Sequence, residues 1–222
     1  MELPDNLALG YIVLVDGQKL INNIIELGTV SKWSHVAMVL CNPNDITQNP
    51  SATNQRSWYC FESNITPGDD VHIITWKDFM SFENNSSVVV RPFQYEPNKM
   101  ANSEFLKAVV NKYLNRPYET DTSELILSSF RANDRENLKS LFCSELVALV
   151  LQDLGLLPNE KLADNYVPAD FSLERPNSVQ LIGAKLGNET PVQHTKEGFF
   201  DTIIEDFSGI ARFISQKLGF NS

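Results

Sequence analysis

Residues 142–155 read FCSELVALVLQDLG, a cysteine followed by a segment in which nearly every position is apolar. The spacing predicts a helix over 144–155 that ends at Gly155, since glycine adopts the left-handed conformation found after many helices. A helix that is apolar on all sides must be covered on all sides. The sequence therefore predicts a fold built around one buried central helix, with Cys143 directly before its first residue.

The chain ahead of this helix is rich in predicted strands. Short apolar or alternating runs predict five of them: LGYIVLV (9–15), WSHVAMVL (33–40), WYCFES (58–63), VHIITW (71–76) and SVVVRPF (87–93). The second and third flank an Asn-, Pro- and Ser-rich loop at 41–57, so we expect them to form a hairpin with a long tip. QKLINNIIELGTV (18–30) has helical spacing instead.

Beyond residue 100 the pattern becomes helical. SEFLKAVVNKYL (103–114) predicts a helix with Ser103 as its N-cap, and SELILSSF (123–130) predicts another. VQLIGAKL (179–186) is a candidate for a last strand. We therefore expect an α+β domain over residues 1–186, in which an antiparallel β-sheet or barrel packs against the central helix.

The sequence predicts a linker and an amphipathic helix over residues 187–222. In FFDTIIEDFSGIARFISQKLGF (199–220), apolar residues recur at helical spacing and form one stripe. The interpretation we favour is a helix that packs back on the domain, and the alternatives are contact with a partner protein or with a membrane surface. Its polar face mixes acidic and basic residues, which argues against strong membrane attachment.

Composition and charge exclude several classes of protein. The chain of 222 residues carries a formal net charge of -10 and has no cluster of Lys and Arg, so we expect no binding to nucleic acid. Its three cysteines lack zinc-ligand spacing, and their odd number argues against a disulfide framework. We expect reduced thiols in a cytoplasmic or virion-associated protein without a signal peptide. The longest apolar run, 146–151, is too short to span a bilayer.

Cys143 is the strongest candidate for chemistry because of its place at a helix start. Unpaired backbone N–H groups and the positive end of the helix dipole stabilise a thiolate there. The same amides can bind the oxyanion that forms when a thiolate attacks a carbonyl. Most free cysteines are small buried hydrophobic residues, and this remains the competing interpretation of Cys143.

A cysteine nucleophile needs an imidazole within hydrogen-bond reach, and His35 in the second strand is the candidate base. Glu62 ends the next strand, and across a hairpin it can share a sheet face with His35 and orient the imidazole. A solvent-exposed glutamate at a strand end is the alternative interpretation. His72 and His194 are weaker candidates for the base, since one borders a loop and the other lies in the polar linker.

The segments SHV, YCFES and FCSELV occur in an order that resembles the circularly permuted branch of the NlpC-type papain-like enzymes, the YiiX-like proteins. The similarity covers roughly residues 9–185, and lecithin:retinol acyltransferase-like enzymes are related. The chain departs from the family pattern at Tyr11, where an acid is common, and at Phe142, where a tyrosine often stands. The Asn-rich insertion between His35 and Glu62 is a third departure.

The resemblance implies a permuted papain-like fold with Cys143 as nucleophile, His35 as base and Glu62 as the orienting residue. It implies a thiol amidase or peptidase, or a lipid acyl hydrolase or acyltransferase, that forms an acyl-enzyme thioester without a metal or organic cofactor. The substrate class is accordingly a peptide amide or a lipid acyl group. The alternative is a catalytically silent papain-like domain that serves as a structural or protein-interaction module in a larger assembly.

Overall fold

The protein is an α+β structure in which a central helix packs against an antiparallel sheet. The computed structural model describes residues 3–16, 31–46, 58–64, 70–83, 86–118, 141–177 and 179–192. Within these ranges the sheet has seven strands in the order β4-β3-β2-β1-β5-β6, and β7 also pairs with β5. The fold class predicted from the sequence is confirmed.

Seven strands and three α-helices make up the regular structure of the described residues. The strands are β1 (Ala8–Asp16), β2 (His35–Cys41), β3 (Tyr59–Asn64), β4 (Asp70–Thr75), β5 (Ser87–Tyr95), β6 (Ala184–Leu186) and β7 (Thr190–Val192). The helices are α1 (Trp76–Phe82), α2 (Ser103–Tyr113) and α3 (Cys143–Asp153), and short 3₁₀ turns lie at Pro43–Asp45, Ala163–Asn165 and Pro168–Phe171.

The two faces of the sheet bury separate hydrophobic clusters. The larger cluster includes the apolar sides of α2 and α3, and the smaller one includes Trp76 and Phe79 of α1. β1 contributes side chains to both clusters and is buried along almost its whole length. This double burial explains why LGYIVLV is a continuous apolar run and does not alternate with polar residues.

β1 contains a bulge at Gly10. The register with β2 shifts between Leu9 and Tyr11, so that Leu9 and Ile12 join the same cluster although they are three residues apart. One extra residue in a strand has this effect on side-chain direction. A Cβ atom at position 10 would lie 2.4 Å from the Cys41 Sγ, and only glycine leaves room for that sulfur.

α3 is the buried central helix that the sequence predicts. Its residues Cys143–Leu151 are all buried, and it packs against β2, β3 and α2. Gly155 follows it with φ +68, and Leu156 N donates to Leu151 O at 2.8 Å while Gly155 N donates to Gln152 O at 2.9 Å. These two bonds form the Schellman motif, so the helix ends where the sequence places its glycine stop.

The N-cap of α2 is Asn102, and the prediction of Ser103 was wrong. The Asn102 side-chain oxygen accepts a hydrogen bond from Phe105 N at 2.8 Å, as an N-cap side chain does. The Ser103 hydroxyl instead accepts from Leu7 N at 2.9 Å and donates to Asp5 O at 2.5 Å. Ser103 therefore joins α2 to the segment ahead of β1.

The five strands predicted before residue 100 are confirmed within two residues at each end. Trp76 begins α1 and is not part of β4. The last predicted strand, 179–186, is limited to Ala184–Leu186, and Thr190–Val192 form a strand within the predicted linker. The latter pairs with β5, so the sheet extends to Val192.

Several sequence predictions concern residues outside the described ranges. They are the helices at 18–30, 123–130 and 199–220 and most of the loop at 41–57. The chain divides into two compact units, 1–192 and 193–222, and the second lies entirely outside the described residues. In the part that is described, no helix is long and apolar enough to cross a membrane.

Candidate active site

Cys143 is the first residue of α3, and its exposed fraction is 4%. The amides in the first turn of a helix have no carbonyl partner within the helix. Phe142 precedes the helix and makes no side-chain cap, while its own N–H donates to Glu145 Oε2 at 3.2 Å. These first-turn amides can therefore bind an oxyanion that forms on a carbonyl attacked by the Cys143 sulfur.

The start of α3 is fixed to the sheet through Leu141. Leu141 N donates to Pro117 O at 3.0 Å, and the Ser63 hydroxyl at the end of β3 donates to Leu141 O at 2.6 Å. Pro117 in turn forms an antiparallel bridge with Asp70 of β4. The position of Cys143 relative to β3 and β4 is thus set by direct hydrogen bonds two residues before it.

The structure brings His35 and Glu62 together across the predicted hairpin. Pairing of Met38 with Phe61 in the β2–β3 ladder places His35 and Glu62 on the same face as diagonal neighbours. His35 Nε2 lies 2.7 Å from Glu62 Oε2, and the side chains are 12% and 2% exposed. Glu62 is a buried partner of the imidazole and not a strand-end residue in solvent.

The Cys143 side chain is close enough to His35 to affect the pKa of the imidazole, whose Nε2 lies 2.7 Å from Glu62 Oε2. Burial lowers the pKa of His35. Electrostatic interaction with Cys143 and hydrogen bonds to Cys143 and Glu62 act in the opposite direction and hold the pKa of His35 well above its ordinary value. Because Nε2 faces Glu62, Nδ1 is the nitrogen left for exchange of a proton with Cys143.

A second histidine, His72, contacts the same carboxylate. It lies directly opposite Glu62 in the β3–β4 ladder, and its Nε2 is 3.2 Å from Glu62 Oε1. Burial raises the pKa of Glu62, but hydrogen bonds to His35 and His72 and their positive charges lower it to about 2. Glu62 is therefore a buried anion with one imidazole at each oxygen.

By sequence, His72 is a weaker candidate for the base because it borders a loop. The signal that could have found it is the register of β3 and β4, which pair antiparallel. With Glu62 opposite His72 in this register, the carboxylate has two imidazole neighbours, His35 and His72. His194 lies outside the described residues.

The other two cysteines lie in environments that suppress the thiolate. Burial and the charge of Asp45 raise the pKa of Cys41 to about 12. Burial and the charge of Glu62 raise the pKa of Cys60 well above its ordinary value. Both side chains are fully buried in the smaller hydrophobic cluster, so they are structural residues.

A cavity of about 360 Å³ is lined by other residues, among them Arg91, Asp170 and Arg175. Asp170 accepts from Lys161 at 2.9 Å and from Arg175 at 3.2 Å, and Arg91 donates to backbone carbonyls. These pairings hold together the segment after α3. Across the described ranges, no group of three or more His, Cys, Asp or Glu side chains is arranged to hold a metal ion.

Comparison with known proteins identifies the family. Residues 6–169 match the model of the permuted papain-like amidase enzymes, the YaeF/YiiX or C92 family. The crystal structure of the metalloprotein yiiX from Escherichia coli O157:H7, DUF1105, is similar with a TM-score of 0.45 and 17% sequence identity. That alignment covers 85% of this chain and 97% of the yiiX chain. No curated protein sequence matches the chain.

The matched residues include β1 to β5, α2, α3 and all three candidate site residues. They make up more than half of the 222 residues. The circular permutation suggested by the order of SHV and FCSELV is therefore confirmed, and the chain belongs to the permuted papain-like amidase family.

Proposed function

We propose that this protein is a cysteine-dependent amide hydrolase in which Cys143 attacks, His35 carries the proton and Glu62 orients His35. The observation that carries the proposal is the contact of His35 with the buried Glu62 carboxylate, with Nε2 and Oε2 2.7 Å apart, and Cys143 is among the groups that raise the pKa of His35. A nucleophile, a base and a group that orients the base are the parts that thiol catalysis requires.

The reaction begins when His35 takes the proton of the Cys143 thiol. The thiolate adds to the amide carbonyl carbon, and the first-turn amides of α3 stabilise the oxyanion. His35 then donates its proton to the leaving nitrogen and the C–N bond breaks. The amine departs, and the acyl group remains on Cys143 as a thioester. Water attacks the thioester, giving its proton to His35, and the carboxylic acid leaves while the thiol is restored.

The substrate class that family membership supports is a peptide-type amide. A lipid acyl hydrolase or acyltransferase is the second candidate, and one observation favours it. The rings of Tyr118 and of Phe142, the residue before Cys143, contact edge to face, with centroids 6.1 Å apart. An aromatic pair that adjoins the nucleophile in the chain suits an apolar acyl group.

Trapping of the acyl-enzyme tests the proposal. The full-length protein is treated with p-nitrophenyl acetate, and digestion with mass spectrometry locates the acetyl group. We expect acetylated Cys143 in the wild type and in Cys41→Ala, which removes a buried thiol on the other face of the sheet. We expect none in Cys143→Ala and a strongly reduced rate in His35→Ala.

Absence of an acyl group on Cys143 in a folded wild-type protein would contradict the enzyme and favour the silent interaction module. The acyl donor is then compared by offering N-acetyl amino-acid esters and fatty-acyl esters of p-nitrophenol at equal concentration. Faster acylation by the amino-acid esters supports the peptide-type substrate, and faster acylation by the fatty-acyl esters supports the lipid candidate.

A further inference from the structure

Glu62 is held from both sides, and only one side belongs to the proposed mechanism. Oε2 lies 2.7 Å from His35 Nε2, and Oε1 lies 3.2 Å from His72 Nε2. The carboxylate is 2% exposed, so water cannot readily replace either histidine. Without His72, a buried carboxylate oxygen would lose its hydrogen-bond partner, which is unfavourable.

The contacts of His72 indicate which protonation state it has. Its Nε2 faces Glu62, and its Nδ1 lies 3.0 Å from Asp70 O and 3.1 Å from Asp70 Oδ1. All of these partners are oxygen acceptors. A neutral imidazole has one N–H, whereas the imidazolium donates from both nitrogens. The geometry is therefore that of a charged His72 between two carboxylates.

The charged groups around His72 favour the same state. Glu62 faces it from β3 and Asp70 from its own strand, and burial lowers its pKa while these two groups raise it above its ordinary value overall. From the segment after α2, Arg116 contributes its carbonyl to Val71 N while its guanidinium lies 5.0 Å from the Tyr113 ring.

Two further acidic residues, Asp69 and Asp78, lie near His72 along the chain. In α1, which packs at the far end of β4, Asp78 accepts a hydrogen bond from Thr75. Asp69 precedes β4 but lies outside the described residues. The described carboxylates in contact with the His72 ring are thus Glu62 and Asp70.

We propose that His72 is a positioning residue, which holds Glu62 by Oε1 so that Oε2 stays directed at His35. It acts through Glu62, which its Nε2 contacts at 3.2 Å, and its role rests on the function proposed above. A carboxylate held at one oxygen alone can rotate about its terminal torsion, which is broad. A second donor at the other oxygen removes that freedom and keeps the base aligned.

The test is the rate at which iodoacetamide alkylates Cys143 near neutral pH, measured by mass spectrometry on the full chain. His72→Ala removes the donor, and we expect alkylation about tenfold slower, because Glu62 no longer stays aligned with the His35 imidazole. His72→Gln places an amide N–H near Oε1 without a charge, and its rate should be within about threefold of wild type, since a neutral hydrogen bond keeps most of the positioning. His194→Gln is the control for loss of a histidine elsewhere and should match the wild type.

The outcomes separate this proposal from the proposed function. If His35→Ala slows alkylation and His72→Ala does not, His72 has no positioning role and the function stands. If His72→Gln is as slow as His72→Ala, positioning through a hydrogen bond is refuted. If neither His35→Ala nor His72→Ala slows alkylation, the proposed function itself fails.

A second measurement is independent of reactivity. Imidazole ¹⁵N shifts are recorded in Cys143→Ala, with His72→Gln in the same background to assign the signals. We expect His72 to carry both protons at a pH above its ordinary pKa, because both nitrogens face oxygen acceptors. If His72 is already neutral at a pH below its ordinary pKa, it does not donate from both nitrogens. That result would overturn its assignment as a charged donor to Glu62 and Asp70, even if alkylation rates changed.

Discussion

Replacement of Glu62 by glutamine should reduce the reactivity of Cys143, because Glu62 stabilises the protonated form of His35. Interaction with two histidines moves the pKa of Glu62 from 4.5 to about 2 despite burial. That net shift is worth about 3 kcal/mol at 1.36 kcal/mol per pH unit. Because such coupling is reciprocal, Glu62 favours the protonated form of both histidines, and burial opposes the charged form at each of the three groups.

Glu62→Gln keeps the shape of the side chain but removes this support, so the pKa of His35 should fall. The equilibrium between the neutral Cys143–His35 pair and the thiolate–imidazolium pair then shifts toward the neutral pair, about tenfold for each pH unit by which the pKa of His35 falls. Alkylation of Cys143 by iodoacetamide near neutral pH should slow by the same factor. Protection of Cys60 in the same digest shows that the fold is intact. An alkylation rate within twofold of wild type would refute the coupling between Glu62 and His35.

Three further predictions concern buried residues. Burial raises the pKa of Cys41 from 9.0 to about 12, so near neutral pH it carries about 1,000-fold less thiolate than an ordinary free cysteine. Iodoacetamide should therefore leave Cys41 and Cys60 unlabelled until urea unfolds the protein, and labelling in native buffer would contradict their burial. The depressed pKa of Glu62 stabilises the fold above pH 4.5, and this contribution of about 3 kcal/mol is lost as the pH falls through 2. In urea unfolding, the free energy of unfolding should therefore fall more on acidification in the wild type than in Glu62→Gln. Equal losses of stability in the two proteins would be inconsistent with this pKa. Gly10→Ala should destabilise the protein by about 1–3 kcal/mol in urea unfolding, because the added Cβ would lie 2.4 Å from the Cys41 Sγ. The loss of stability should be smaller in a Cys41→Ala background. An unchanged loss would point to a cause other than this contact.

The elements that follow from local patterns could be predicted from the sequence. The buried helix α3, its glycine end at Gly155 and the strands before residue 100 all rest on periodicity and turn chemistry within a few residues. The closeness of His35 and Glu62 required one further step, the pairing of neighbouring strands, which a hairpin supplies.

Features that depend on distant contacts could not be predicted in this way. Asn102 and Ser103 are both good N-cap residues, and the choice between them follows from Asp5 and Leu7, which occupy the Ser103 hydroxyl. The bulge at Gly10 depends on a sulfur more than 30 residues away. The pairing of His72 with Glu62 depends on an exact strand register, and a shift by one residue would send the imidazole to the other face.

The order of the site residues along the chain has a consequence for biosynthesis. The β2–β3–β4 segment carries His35, Glu62 and His72, and it leaves the ribosome before α3 does. Leu141, whose hydrogen bonds to Ser63 and Pro117 fix the start of α3, belongs to the later part of the chain. A nascent chain therefore contains both imidazoles and the carboxylate before it contains the thiol, and the site is complete only after α3 has been synthesised.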